Sequence, residues 1–149
     1  MAPRQGPDGK VLYTVDSERF AVYRRSWDPE TGVAGTRESF ITVTGGFPDG
    51  MTIDAEGCLW IAVWGASEVR RYSASGHVLA VVEVPAAKPS SVAFAGDDLS
   101  TLVITTASRD LSQEELGATP LAGHLFTTKP RVAGTPQPFW SGTLSTRRA

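Results

Sequence analysis

The sequence predicts an all-β fold made of three consecutive repeats of one four-stranded antiparallel unit. Three observations carry that prediction. Runs of β-branched and aromatic residues recur along the chain, a turn of acidic residues and glycine precedes each run, and the units repeat at about 42 to 48 residues. That period falls in the range of propeller blades, in which each unit is a four-stranded meander.

The first unit holds Val11-Leu12-Tyr13-Thr14-Val15 behind the turn Pro7-Asp8-Gly9, then Ala21-Val22-Tyr23-Arg24, the turn Asp28-Pro29-Glu30-Thr31-Gly32, and Arg37-Glu38-Ser39-Phe40-Ile41. The second repeats the order: Asp54-Ala55-Glu56-Gly57, Cys58-Leu59-Trp60-Ile61-Ala62-Val63-Trp64, Val69-Arg70-Arg71-Tyr72, the turn Ser73-Ala74-Ser75-Gly76, and Val78-Leu79-Ala80-Val81-Val82. The third has Ala95-Gly96-Asp97-Asp98, Thr101-Leu102-Val103-Ile104-Thr105 and His124-Leu125-Phe126-Thr127. Such residues favour a pleated, half-buried surface, and the Asp-Gly turns between them supply the backbone angles of tight connections. The stretch from Arg109 to Gly123, with Leu111-Ser112-Gln113-Glu114-Glu115-Leu116, breaks the rhythm. It is expected to be an insertion between strands containing one helical turn. No linker divides residues 1–149, so one domain of three blade-like units is expected.

Composition narrows the function classes. The chain has 149 residues, 41% hydrophobic and 20% charged, the profile of a soluble globular domain. Its net charge of −2 offers no electrostatic footprint for nucleic acid and no basic membrane patch. One cysteine, Cys58, excludes an internal disulfide framework and any multi-cysteine zinc site. Met1-Ala2-Pro3-Arg4-Gln5-Gly6 lacks the apolar stretch of a signal peptide, and no segment reaches transmembrane length, so a cytoplasmic location is expected. No Gly-x-Ser-x-Gly elbow, phosphate-binding glycine loop or Cys-x-x-Cys occurs, which leaves serine-hydrolase, nucleotide and redox readings without support.

The tripeptide Pro-Asp-Gly occurs twice, at Pro7-Asp8-Gly9 and Pro48-Asp49-Gly50, and the repeat register separates the copies. Aligning Gly9 with Gly57 puts Asp8 in the hairpin turn between a unit's first and second strands, where Asp needs no further explanation. Asp49 stands one strand earlier, just before Met51-Thr52-Ile53, and its counterpart in the third unit is Ser90. A blade's first strand lines the central channel, so Asp49 and Ser90 are expected at one mouth of it. Carboxylates gathered there can converge on a cation. The equivalent position of the first unit falls at Met1. Among the other candidates, Asp16 ends a strand and is assigned a strand-end hydrogen bond rather than a channel role. His77 and His124 lack a second ligand at metal spacing and read as structural or exposed. Trp27, Trp60, Trp64 and Trp140 read as blade core or rim, with stacking on a sugar as the lesser alternative, Cys58 as packed, and Glu114-Glu115 as a solvated loop face.

These residues bring a family into view. "FPDGMTIDAEGCLWIAVWGASEVRRYSASGHVLAVVEVP", followed by "KPSSVAFAGDDLSTLVITTAS" and "PLAGHLFTT", resembles the C-terminal half of the regucalcin/gluconolactonase (senescence marker protein) family. "GPDGKVLYTVDS" and "DPETG" resemble its preceding blade, and the likeness runs from about residue 6 to 140. The resemblance implies three blades of a six-bladed β-propeller, a divalent cation (Ca²⁺, Zn²⁺, Mn²⁺ or Mg²⁺) in the channel, and hydrolysis of sugar lactones. Matched by position, Asp49 corresponds to the family's metal-binding aspartate, which also carries the proton. The family's Asn ligand would fall near Met1 and is absent; its Glu and second Asn ligands belong to blades outside this chain. The expected function is thus that of a metal-dependent sugar-lactone hydrolase, represented by its C-terminal half and inactive alone. The alternative is a non-catalytic, calcium-associated or protein-interaction module. Self-association through exposed blade flanks is expected of a half ring, and nucleic acid and membrane partners are not.

Overall fold

The computed structural model describes residues 4–6 and 8–137. Three antiparallel sheets follow one another along the chain. The first pairs β1 (Arg4–Gln5), β2 (Val11–Asp16), β3 (Ala21–Ser26) and β4 (Glu38–Thr42) in sequence order. The second pairs β5 (Phe47–Ile53), β6 (Leu59–Trp64), β7 (Glu68–Tyr72) and β8 (Val78–Glu83), again in order. The third contains β9 (Pro89–Ala95), β10 (Thr101–Thr106) and β11 (Leu125–Thr128). The expected four-stranded meander therefore appears twice, and the third sheet has three strands among the described residues. Past β11 the chain turns back to the second sheet, where Gly134 bridges Asp54 and the Ala133 carbonyl accepts the Ala55 amide.

β6 explains why the sheets stack. Its run Leu-Trp-Ile-Ala-Val-Trp is apolar on both faces, and only the terminal Trp64 is not fully buried. Side chains alternate across a strand, so Leu59, Ile61 and Val63 enter one core with Tyr13, Val22 and Ile41 of the first sheet. Trp60 and Ala62 enter a second core with Val92, Leu102 and Ile104 of the third. Each large aliphatic side chain buried in this way contributes about 1.5–3 kcal/mol. The middle sheet is the filling of a three-layer stack, which is why its second strand carries no polar alternation.

The outer faces of the stack are not so covered. On the first sheet, Leu12, Thr14, Tyr23 and Arg25 form the partly exposed face opposite Tyr13 and Val22. On the third, Leu125 is 68% exposed. The repeats also agree in detail. Gly9 and Gly57 take positive φ (68° and 77°) at equivalent hairpin turns, and the outer strands β4 and β8 each slip register by one residue against β3 and β7. Asp8 caps its own turn by accepting the Lys10 amide at 2.9 Å, the local role expected of it. The β10–β11 connection contains α1 (Gln113–Ala118), with Ser112 and Glu115 forming a reciprocal capping box.

Candidate functional site

The first strand of each sheet sits at the sheet's edge, and these edges meet: β5 contacts both β1 and β9. Asp49 lies on β5, the first strand of the second sheet, as the register required. It stands inside the strand, however, and not just ahead of it. β5 begins at Phe47, so Pro48-Asp49-Gly50 is extended chain and neither copy's turn chemistry applies to it. The physical reason for the glycine is different: a Cβ at Gly50 would overlap the backbone and side chain of Ser91 on β9. Gly50 permits two inner strands to touch.

At this point the ladder is interrupted. Pro48 pairs with Val63 and Met51 with Ile61, so Asp49 and Gly50 together face Ala62 alone. Such a bulge re-aims a side chain out of the regular alternation. The same one-residue slip recurs on β9, where Pro89 pairs with Thr106 and Ser91 with Thr105, leaving Ser90 as the extra residue. Asp49 and Ser90 therefore occupy equivalent bulges on neighbouring inner strands. Ser90 is engaged with Thr105, their hydroxyl oxygens 2.8 Å apart.

Around Asp49 is an open concavity of about 310 Å³ lined by Ser17, Glu18, Phe47, Pro48 and Trp64 besides the aspartate. The β2–β3 loop is held there by the Ser17 hydroxyl, which donates to the Pro48 carbonyl at 2.7 Å. Phe20, also from that loop, stacks on Phe47 with ring centroids 4.7 Å apart. Burial pushes the Asp49 carboxyl above the usual aspartate range, and a hydrogen bond with the Gly50 amide opposes the shift. Two hollows of about 500 Å³ lie elsewhere, one beside Lys10, Arg24 and Glu38, the other beside Ser67, Glu68 and Pro85. They are larger but bring no carboxylate to an inner strand.

The remaining expectations can be placed residue by residue. Asp16 ion-pairs with Arg19 at 3.6 Å. His77 and His124 are exposed, Trp60 and Cys58 are buried, and Trp64 and Trp27 are partly buried. Trp140 lies outside the described residues, as does Met1, the first unit's counterpart of Asp49. Glu115 works as a helix cap rather than as a free loop charge.

Asp54, read from sequence as a turn residue only, is the most connected carboxylate in the described structure. It is fully buried at the far end of β5 and accepts from the amides of Glu56 and Cys58 at 3.0 and 2.9 Å, from Trp60 Nε1 at 2.8 Å and from Arg71 Nε at 2.7 Å. Arg71 also donates to Glu56 at 2.6 Å. With every lone pair used inside the second sheet, Asp54 pins the β5–β6 hairpin and has no acceptor capacity left for a ligand. Nothing in Asp-Ala-Glu-Gly announces an arginine 17 residues on; only the β6–β7 register, pairing Trp60 with Arg71, brings it there.

Among the described residues, Asp49 is the carboxylate that the register brings to an inner strand. Ca²⁺ takes roughly six to eight oxygens. Asp49 supplies a carboxylate on an inner strand, while among the described residues no three His, Cys, Asp or Glu side chains gather around one point. No helix is long and apolar enough to cross a membrane among the described residues.

Comparison with known proteins identifies the family. Residues 5–108 match the sequence model of the SMP-30/Gluconolactonase/LRE-like region. The 6-deoxy-6-sulfogluconolactonase of Pseudomonas putida is 39% identical over 139 residues, covering 91% of this chain and 47% of the relative. The pentonolactonase XacC of Haloferax volcanii is 38% identical, covering 87% and 47%. The crystal structure of a calcium-binding protein, regucalcin, from Agrobacterium tumefaciens superposes with a TM-score of 0.87 at 36% identity, covering 92% of this chain and 48% of that one. The chain thus spans about half the length of the relatives it matches. With the family model matched over residues 5–108 and relatives of 36–39% identity on the same fold, the chain belongs to the SMP-30/gluconolactonase/LRE-like family.

Proposed function

We propose that this chain provides the Asp49-bearing half of a divalent-metal-dependent sugar-lactone hydrolase. The observation that carries the reading is the position of Asp49: a partly buried carboxylate on the bulge of an inner strand, at the wall of an open concavity. Support for the substrate class comes from relatives named as lactonases. A lactone opens when water attacks its acyl carbonyl and the ring oxygen leaves. Asp49, as carboxylate, takes the proton of the attacking water and returns it to the departing hydroxyl. The bound cation would polarise the carbonyl and lower the pKa of water. Its identity, among Ca²⁺, Zn²⁺, Mn²⁺ and Mg²⁺, is left to experiment, and Asp49 would be one ligand of several.

Because the described residues offer one metal-binding corner, the isolated chain is expected to bind Ca²⁺ weakly and to need a complementary half for turnover. The uncovered faces of the first and third sheets, with Leu12 and Tyr23 on one and Leu125 on the other, are where that half or a second copy would sit. The test is release of acid from glucono- and pentono-lactones with each cation, at rising protein concentration, compared with Asp49→Ala. Equal rates in the two proteins would remove Asp49 from the mechanism. The sparse donor set favours one rival, a non-catalytic calcium-associated or interaction module in a cytoplasmic setting. It predicts no turnover in any oligomeric state.

A further inference from the structure

Three loops rise at the Asp49 end of the sheets, because the N-terminal ends of β5 and β9 pair with the C-terminal ends of β6 and β10 (Phe47 with Trp64, Pro89 with Thr106). The β2–β3 and β6–β7 loops are short. The β10–β11 loop is long and carries α1. Lys88, immediately before β9, ties this third loop to the site. Its Nζ donates to the Arg109 carbonyl at 2.8 Å and to the Asp110 carbonyl at 3.3 Å, and its backbone carbonyl accepts the Ala107 amide at 2.9 Å. The same ammonium stands 5.3 Å from the centre of the Trp64 ring. Trp64 in turn forms a wall of the Asp49 concavity.

Building on the lactonase reading, we infer that Lys88 is a positioning residue, clamping the Trp64 indole as the platform for the carbohydrate ring and anchoring the α1-bearing loop beside it. An ammonium over an aromatic face is held electrostatically by the ring, and its carbonyl partners absorb the remaining donors, so Lys88 has little freedom. A fixed indole presents a flat apolar surface suited to the C–H face of a sugar lactone, while the hydroxyls stay free for polar contacts. The loop is tied through the Arg109 and Asp110 carbonyls to the same ammonium that steadies the wall. Support from behind a contacting residue is a common way to hold a binding surface in place.

The decisive comparison is K88M against K88R in the full 149-residue chain, with W64F identifying the Trp64 emission. Methionine keeps a long stem and loses the charge and donors; arginine keeps a cation for both the ring and the carbonyls. Added gluconate is the binding probe, read by quenching of Trp64, and amide exchange of residues 109–118 reports the loop. The expected result is a changed Trp64 emission, roughly fivefold weaker gluconate quenching and faster exchange in K88M, with K88R within about twofold of wild type. Where lactone turnover is measurable, K88M raises KM about fivefold and moves kcat less than twofold. A K88M protein that melts like wild type and binds gluconate equally overturns the proposal. So does a K88R protein that fails to restore binding. Absence of turnover in wild type sinks the hydrolase reading alone, since quenching and exchange do not depend on it.

Discussion

Gly50 on β5 and Ser91 on β9 lie so close that a methyl group on the glycine would overlap the serine's Cα and side chain. The adjoining residue on β5 is Asp49, displaced by the bulge that Gly50 shares with it. The contact between inner strands and the placement of the carboxylate are one feature, which makes it open to test. Gly50→Ala is expected to destabilise by about 1–3 kcal/mol through overpacking and to lower the melting temperature by roughly 5–10 °C. On the proposed lactonase reading, lactone opening by the completed site should fall as well, since the bulge positions Asp49. A variant melting with wild type would mean that β5 and β9 separate at no cost.

Asp49 itself predicts a trade of stability for function. Its folded pKa is raised by burial, so the folded state holds the proton to higher pH than the unfolded chain does. Between the two values the folded form binds more protons, and stability falls as pH rises through that window. Asp49→Asn removes the cost. The variant should melt above wild type at pH 7 and converge with it below the ordinary aspartate range; on the proposed lactonase reading, lactone opening by the completed site falls by at least about a hundredfold. A lower melting point at pH 7 would contradict the burial argument.

Breaking the Asp54–Arg71 pair should cost far more than any surface ion pair. Asp54 is 0% exposed and Arg71 donates to it at 2.7 Å. Asp54→Ala leaves Arg71 with Glu56 alone and the Cys58 amide and the Trp60 indole N–H without their acceptor, and a loss of about 3–5 kcal/mol is expected in urea unfolding. Arg24–Glu38, at 3.5 Å on the surface, serves as the control, with Glu38→Ala costing less than about 1 kcal/mol.

Removing the helix cap should act locally. Ser112 accepts the Glu115 amide at 3.2 Å, and no residue of α1 is buried. Ser112→Ala is expected to cost α1 about 1 kcal/mol, seen as faster amide exchange over residues 113–118. The global melting point should barely move, because the sheets make no use of the helix for their core.

Much of this molecule is legible in its residues because blades are local objects. Strand, turn and strand follow one another in the chain, so periodicity and Asp-Gly turns locate β2, β3, β6, β7 and β10 to within a residue or two of their observed bounds. The repeat also distinguishes Asp8, which accepts its own neighbour's amide, from Asp49, which lies on an inner strand. What could not be read from the chain depends on contacts between blades or across a ladder. Pro-Asp-Gly at 48–50 looks like a turn and is a bulged strand, because the demand on Gly50 comes from Ser91, 41 positions away on another sheet. Asp54 looks like a turn residue and is a buried anchor, because the β6–β7 register supplies Arg71. Composition and spacing settle which segments extend and which turn, since those preferences act within a few residues. Which side chains become neighbours is settled only when the sheets stack, since packing and electrostatics act through space and not along the chain.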